Sequence, residues 1–245
     1  RMSYFNYQKN SVVLRSLGLL AKFFSRLLYR VFFSFREGIY LFSSLYLKYP
    51  RLFFYDLGKY VYSLRHCPYA KLGRLPGASL LKEGNVYGET PWSVLAKICQ
   101  AFDITSQDIL YDLGCGLGKV CFWFSHVVRC QVIGIDNQPH FIRFSSNMHR
   151  KLSSGFALFD TEEFKNVVLS QASYVYFYGS SFSRRLLNEI ILKLSEMAPG
   201  SVVISISFPL DSFSRGKECF FTEKSCSVRF PWGKTIAYKN IRKGS

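Results

Sequence analysis

The sequence predicts an α/β fold, a doubly wound sheet closed by a C-terminal β-hairpin and preceded by a purely helical region. Three observations predict it. From residue 85 onward, amphipathic helical stretches alternate with short β-branched runs. One junction, "ILYDLGCGLGKVCFWF" at residues 109–124, has the form strand, glycine turn, helix. The first 65 residues carry helical periodicity, with sparse glycine and no proline before Pro50.

Helix is expected from Ser11 to about Lys48. Arg15, Lys22, Arg26 and Arg30 recur at spacings of 7, 4 and 4, which puts them on one face. Leu14, Leu17, Leu20, Phe24, Leu27 and Leu28 fill the opposite faces. The longest uncharged run, residues 38–47, is too short to span a bilayer, which takes roughly 20 apolar residues. Two readings of this surface stand side by side. Its aromatic face packs on the following domain, or it lies on an anionic membrane. Charges interrupt every candidate apolar core, so no secretory signal is expected.

Residues 66–84 contain Pro68, Gly73, Pro76, Gly77 and Gly84 and read as a linker between a helical region, 1–65, and an α/β domain, 85–245. The domain opens with a helix over residues 91–102, capped by Thr90 with Pro91 in its first turn. A strand at 109–113, a helix at 118–127 and a strand at 131–136 follow. Then come a helix at 139–152, strands near 155–159 and 174–178, a helix at 183–197 and a strand at 201–208. Two strands near 219–222 and 225–238 close the chain.

Charge is unevenly distributed. Residues 1–84 hold fourteen Lys/Arg against Glu37, Asp56 and Glu83, a net of +11, whereas residues 85–245 hold eighteen against thirteen, a net of +5. A basic, aromatic-rich segment at 11–64 suits an anionic membrane or an acidic partner, with nucleic acid the less favoured choice. The seven cysteines form no CxxC pair, and the four histidines do not sit at metal-ligand spacing with them. Reduced thiols, no metal site and a cytoplasmic compartment are expected, with attachment to a membrane or export as an effector left open.

In the glycine turn, Gly114, Gly116 and Gly118 permit a tight approach of backbone to ligand. A dinucleotide is disfavoured. The spacing is G-x-G-x-G, with Lys119 where the dinucleotide fingerprint has its third glycine. Asp112 also ends the strand just before the turn, where a carboxylate repels pyrophosphate but suits an ammonium and a sulfonium. That ligand is S-adenosylmethionine. Asp136 closes the next strand, 20 residues past Gly116, as the acid for ribose hydroxyls.

"DLGCGLGK" and "VIGID" resemble the class I, Rossmann-like seven-strand methyltransferases. Within them, "VYGETPWSVLAKICQAFDITSQDILYDLGCGLGKV" is similar to the non-SET (disruptor of telomeric silencing type) histone lysine methyltransferases and their bacterial relatives. The "YGET" turn, with Tyr87 25 residues before Asp112, is more specific than the glycines. The likeness runs from about Gly84 to Arg242 and leaves out residues 1–83.

The resemblance implies an S-adenosylmethionine-dependent enzyme. It implies a turn over the cofactor, with Tyr87 and Thr90 at the methionyl end and Glu89 as brace. Glu163-Phe164 would meet the adenine, with Asp160 as rival acid. The cofactor set is completed by Asp112, Gly114, Gly116, Lys119 and Asp136. Where the histone enzymes carry paired asparagines after the fourth strand, this chain has Tyr178-Gly179-Ser180-Ser181. Tyr178 and Ser180, with Phe230 and Tyr238 from the final hairpin, are the implied catalytic set around a lysine channel, and Trp232 lies between the last two. Protein lysine is the favoured acceptor; a small or lipid-like acceptor at a membrane surface is the alternative.

Overall fold

The computed structural model describes residues 2–66, 88–152, 155–179 and 182–244, with side chains from Leu20 onward except Ala21. The expected linker, apart from His66, therefore lies outside the described residues, as do Tyr87, Ser180 and Ser181 and the side chain of Arg15.

Helix α1 runs Met2–Tyr40 and continues through a π-helical turn, Leu41–Leu45, into α2, Tyr46–Lys48. Tyr49 leaves helical geometry because Pro50 follows it, and Pro50 then opens α3, Pro50–Arg65. The α/β part begins with α4, Trp92–Phe102. Then follow β1 (Ile109–Leu113), α5 (Lys119–Trp123, extended by a π turn to Val128), β2 (Gln131–Asp136) and α6 (Pro139–Leu152). Strands β3 (Ala157–Thr161) and β4 (Tyr174–Phe177) precede α7 (Arg184–Leu194) and β5 (Val202–Ile206). A short α8 (Ser214–Cys219) leads into the hairpin β6 (Phe220–Phe230) and β7 (Gly233–Arg242).

The sheet has seven strands in the order β3-β2-β1-β4-β5-β7-β6. The first five are parallel and β7 enters antiparallel to β5. The order in which strands are added reverses between β1 and β4, so the crevice for a ligand opens at their carboxyl ends. The hairpin turn falls at residues 231–232, not at 223–224 as the residue pattern suggested. The break near Glu223 is a bulge: pairing with β7 skips from Thr222 to Lys224.

Each sheet face has its own core. One buries Val175, Phe177, Val203, Ile191 and Leu194 under α7. The other buries Tyr176, Ile204, Phe102, Phe122 and Phe230, and into this second core the helical region inserts Leu45, Leu52 and Tyr55. Leu52 and Tyr55 are fully buried, and the Tyr55 ring lies 4.5 Å from that of Phe122 and 5.8 Å from that of Trp92. Burying an aliphatic side chain is worth about 1.5–3 kcal/mol. One face of α3 is thus part of the core.

Candidate active site

The glycine turn uses backbone geometry that favours glycine. Gly114, Gly116 and Gly118 have φ of +85°, +54° and +86°. A Cβ on Gly118 would stand 2.9 Å from the Phe159 ring, so close helix–sheet packing also demands glycine there. The turn's amides are already engaged. Gly114 and Cys115 donate to the Ile135 carbonyl, Gly118 donates to the Cys115 carbonyl, and Gly116 donates to Asp136 Oδ2 at 2.9 Å. Few donors are left for a pyrophosphate, which agrees with the argument against a dinucleotide.

Asp136 takes its second bond from the Gln138 amide, 2.9 Å. Burial pushes its carboxyl above the usual range, and these two amides offset part of that rise. Asp112 is buried at the end of β1 and receives the Cys121 thiol at 3.4 Å. Burial pushes it up to about 7, the Cys121 hydrogen bond pulls it down, and the neighbouring Asp136 charge adds to the rise. A buried carboxylate in such a setting fits an incoming cation. These residues fit S-adenosylmethionine: Asp112 would face its ammonium and Asp136 its ribose hydroxyls, and Phe164 lies beside the open face of Gly114. A Cβ built on Gly114 would meet only the Phe164 ring, at 3.7 Å.

The turn before α4 is tied down by partners that the motif did not reveal. Glu89 accepts from Lys59 of α3 and lies 3.6 Å from Lys119 at the start of α5. Burial draws the Lys59 ammonium down, but Glu89 and Asp56 outweigh it and hold it above the usual lysine range. Lys119 is drawn below that range by burial and by the Lys59 charge. Its ammonium sits 4.9 Å from the centre of the Trp92 ring. Glu89 thus ties the turn to α3 and to the start of α5. Thr90 is not the helix cap: Pro91 occupies that position, and the Thr90 hydroxyl pairs with the Tyr176 hydroxyl at 2.6 Å in the core.

The acceptor-side residues divide. Tyr178, Phe230 and Trp232 come together. The Tyr178 and Phe230 rings are 5.4 Å apart, Phe230 stacks on Trp232 at 5.2 Å, and Trp232 Nε1 donates to the Tyr178 hydroxyl at 3.1 Å. Gly88 abuts this group, since a Cβ there would lie 3.3 Å from the Tyr178 ring. Phe230 is fully buried, Tyr178 is partly exposed and Trp232 is 56% exposed.

Tyr238 does not join them. It pairs with Ser205, whereas its neighbour Ala237 packs with Phe230, so alternation along β7 turns Tyr238 to the opposite sheet face. Glu163 is solvent-exposed and bound to Lys165 at 2.8 Å; the rival, Asp160, is also exposed. Tyr87 and Ser180 lie outside the described residues.

The family model for the histone methylation protein DOT1 matches residues 82–190. Among solved structures, an RNA methyltransferase from Salinibacter ruber in complex with S-adenosyl-L-homocysteine is 19% identical, with a TM-score of 0.53 over 64% of this chain and 96% of that one. TrmN from Thermus thermophilus is 10% identical, with a TM-score of 0.53 over 66% and 52%. A mutant of MtNAS in complex with S-adenosylmethionine is 8% identical, with a TM-score of 0.50 over 62% and 61%. At these identities the likeness is one of fold. No curated protein matches the chain.

Proposed function

We propose that this chain, an S-adenosylmethionine-dependent methyltransferase of the seven-strand fold related to the DOT1 type, methylates the side-chain amine of a protein lysine. One observation carries the choice of an amine. An aromatic wall of Tyr178, Phe230 and Trp232 stands at the carboxyl end of β4, against the turn that crosses the cofactor site.

When bound, the cofactor would supply an electrophilic methyl on its sulfonium, the amine nitrogen–carbon bond forming as the carbon–sulfur bond breaks and its electron pair leaves with a neutral thioether. The protein's share is positioning and desolvation. Asp112 would hold the ammonium of the ligand and Asp136 its ribose hydroxyls. The Glu89–Lys119 pair fixes the turn above it. The aromatic wall strips water from an entering ammonium, favours its neutral form and contacts the methylated cation. Free at pH 7, only about one lysine in 10³ is neutral, so this shift is needed before attack. The displaced proton leaves to solvent.

A second reading rests on the loop after β4, where Tyr178-Gly179-Ser180-Ser181 replaces an asparagine pair. That replacement favours a small or lipid-like acceptor. Tritiated S-adenosylmethionine incubated with the enzyme and fractionated lysate separates the two. Label retained on lysine after protein hydrolysis supports the proposal. Label confined to lipid or small molecules defeats it.

A further inference from the structure

The outer face of the helical region is apolar over a length that the core does not use. On α1 and the π-helical turn that continues it, Phe24, Leu27, Val31, Phe35 and Phe42 recur at helical spacing and are all exposed. On α3, Phe53, Leu57, Tyr60 and Leu64 form a second exposed stripe, opposite the buried Leu52 and Tyr55. The two stripes are continuous. Ring contacts run from Phe42 to Tyr46 at 5.4 Å, to Phe53 at 5.4 Å and on to Phe54 at 5.6 Å. An aromatic side chain can bury about 150–250 Å². The exposed stripes together therefore amount to on the order of 1,000 Å², beyond the few hundred that a monomer ordinarily leaves bare.

The charge around these stripes is of one sign. Two of the three acids in residues 1–84 are turned inward. Glu37 accepts from the amide and hydroxyl of Ser93, and Asp56 accepts from Trp92 Nε1 at 2.6 Å and the Tyr46 hydroxyl at 2.7 Å. Among the described residues, α1–α3 therefore present no carboxylate outward. They do present Lys22, Arg26, Arg30, Lys48, Arg51 and Arg65. At the α2–α3 junction a hollow of about 400 Å³ is lined by Lys48, Arg51, His126 and Arg129. No described helix is long and apolar enough to cross a membrane.

We propose that α1 and α3 form a platform that docks on an anionic lipid surface, lying in its plane. The apolar stripes enter the acyl boundary, and the lysines and arginines meet the headgroups. A second copy of the chain is the weaker occupant, because residues 2–65 carry ten Lys/Arg against two acids, so each face would bring a net +8 against the other. Nucleic acid would answer the charge but not the apolar stripes. The platform also sets the height of the active site. Tyr29, on the side of α1 that faces the hairpin, donates to the Phe230 carbonyl at 3.1 Å, so the aromatic wall is held beside the membrane rather than in it.

The test uses the full chain and sedimentation with vesicles of phosphatidylcholine alone, or with about a third phosphatidylserine. Binding should require phosphatidylserine and fall only in part when salt is raised to about 0.5 M, since screening removes the charge term alone. Phe35→Asp with Phe54→Asp should reduce binding at least tenfold while leaving S-adenosylhomocysteine affinity unchanged, which shows the fold intact and separates this test from that of the acceptor. Lys22→Gln, Arg26→Gln and Arg30→Gln together should remove the salt-sensitive part. The platform is overturned if the protein stays free of anionic vesicles at low salt, or if the aspartate variant binds as well as the parent. It is equally overturned if ultracentrifugation or gel shift instead reveals a dimer or an RNA complex lost in the same variants.

Discussion

The hydroxyl of Tyr55, in α3, donates to the carbonyl of Leu117 inside the glycine turn, 3.1 Å away. The turn that faces the cofactor is thus held from behind by a helix that lies outside the family match. Tyr55 is also fully buried between Phe122 and Trp92. Helical region and cofactor loop form one packed unit.

Removing residues 2–65 should therefore abolish soluble, cofactor-binding protein rather than yield a free catalytic domain. Tyr55→Phe should cost about 1–3 kcal/mol, the penalty for a buried carbonyl left without its donor. Tyr55→Ala should cost about 3–5 kcal/mol. Urea unfolding of the two point variants checks the difference. A truncated chain with parental S-adenosylhomocysteine affinity would refute the integration.

Asp112 links stability to pH. Its carboxyl is raised to about 7 in the fold, against an ordinary 3.8. A raised acid favours the fold while protonated, so its contribution is complete below about pH 4 and is lost as pH rises through about 7. At about 1.4 kcal/mol per pK unit, the loss amounts to a few kcal/mol. Asp112→Asn should remove that part of the decline, so its melting temperature should equal or exceed the parent's at pH 8. A parallel pH dependence in both proteins would count against this assignment.

The same group should govern the ligand. A cation placed against Asp112 binds its ionised form, so affinity for S-adenosylhomocysteine should rise about tenfold per pH unit below 7 and level off above. Proton release should accompany binding near pH 6.5. Calorimetry in two buffers of different ionisation heat measures it. Asp112→Asn should bind weakly at every pH and release no proton.

Thr90 illustrates how far the residues alone could be read. Its type and place before Pro91 suggested a helix cap, but the partner that claims its hydroxyl, Tyr176, is 86 residues away. Local pattern was enough where the cause is local. Glycines with positive φ and the β/α alternation follow from short-range sterics and residue pattern, and both are present in the fold. Contacts between distant segments were not legible: Lys59 to Glu89, Tyr55 to Leu117. Glu37 and Asp56 are isolated acids in a strongly basic stretch, and both turn out to hold α4 to the helical region. Tyr238 fell to parity: being an aromatic on the hairpin did not tell which sheet face it takes.

Thr90→Val should accordingly lower stability by about 1–3 kcal/mol, because the Tyr176 hydroxyl is left buried without its partner. Thr90→Ser should restore most of it. Thermal melts of apo protein decide the matter, and an unchanged melting temperature in Thr90→Val would mean the pair adds nothing.

Trp232 gives the sharpest test of the aromatic wall. It is more than half exposed and sits at the hairpin turn, so its removal leaves the core of Phe230 and Tyr178 in place. Surface substitutions of this kind usually change stability by less than about 0.5 kcal/mol. Yet Trp232 Nε1 is the donor to the Tyr178 hydroxyl, and its ring stacks on Phe230. If these rings desolvate the acceptor amine, Trp232→Ala should reduce methyl transfer at least tenfold without changing S-adenosylhomocysteine affinity. Higher pH should recover part of that loss, because it supplies the neutral amine that the damaged wall no longer favours. Trp232→Phe keeps the stacking and loses only the N–H, so it should keep most of the rate. A loss in Trp232→Ala that pH does not relieve would assign the wall to acceptor binding instead of amine desolvation.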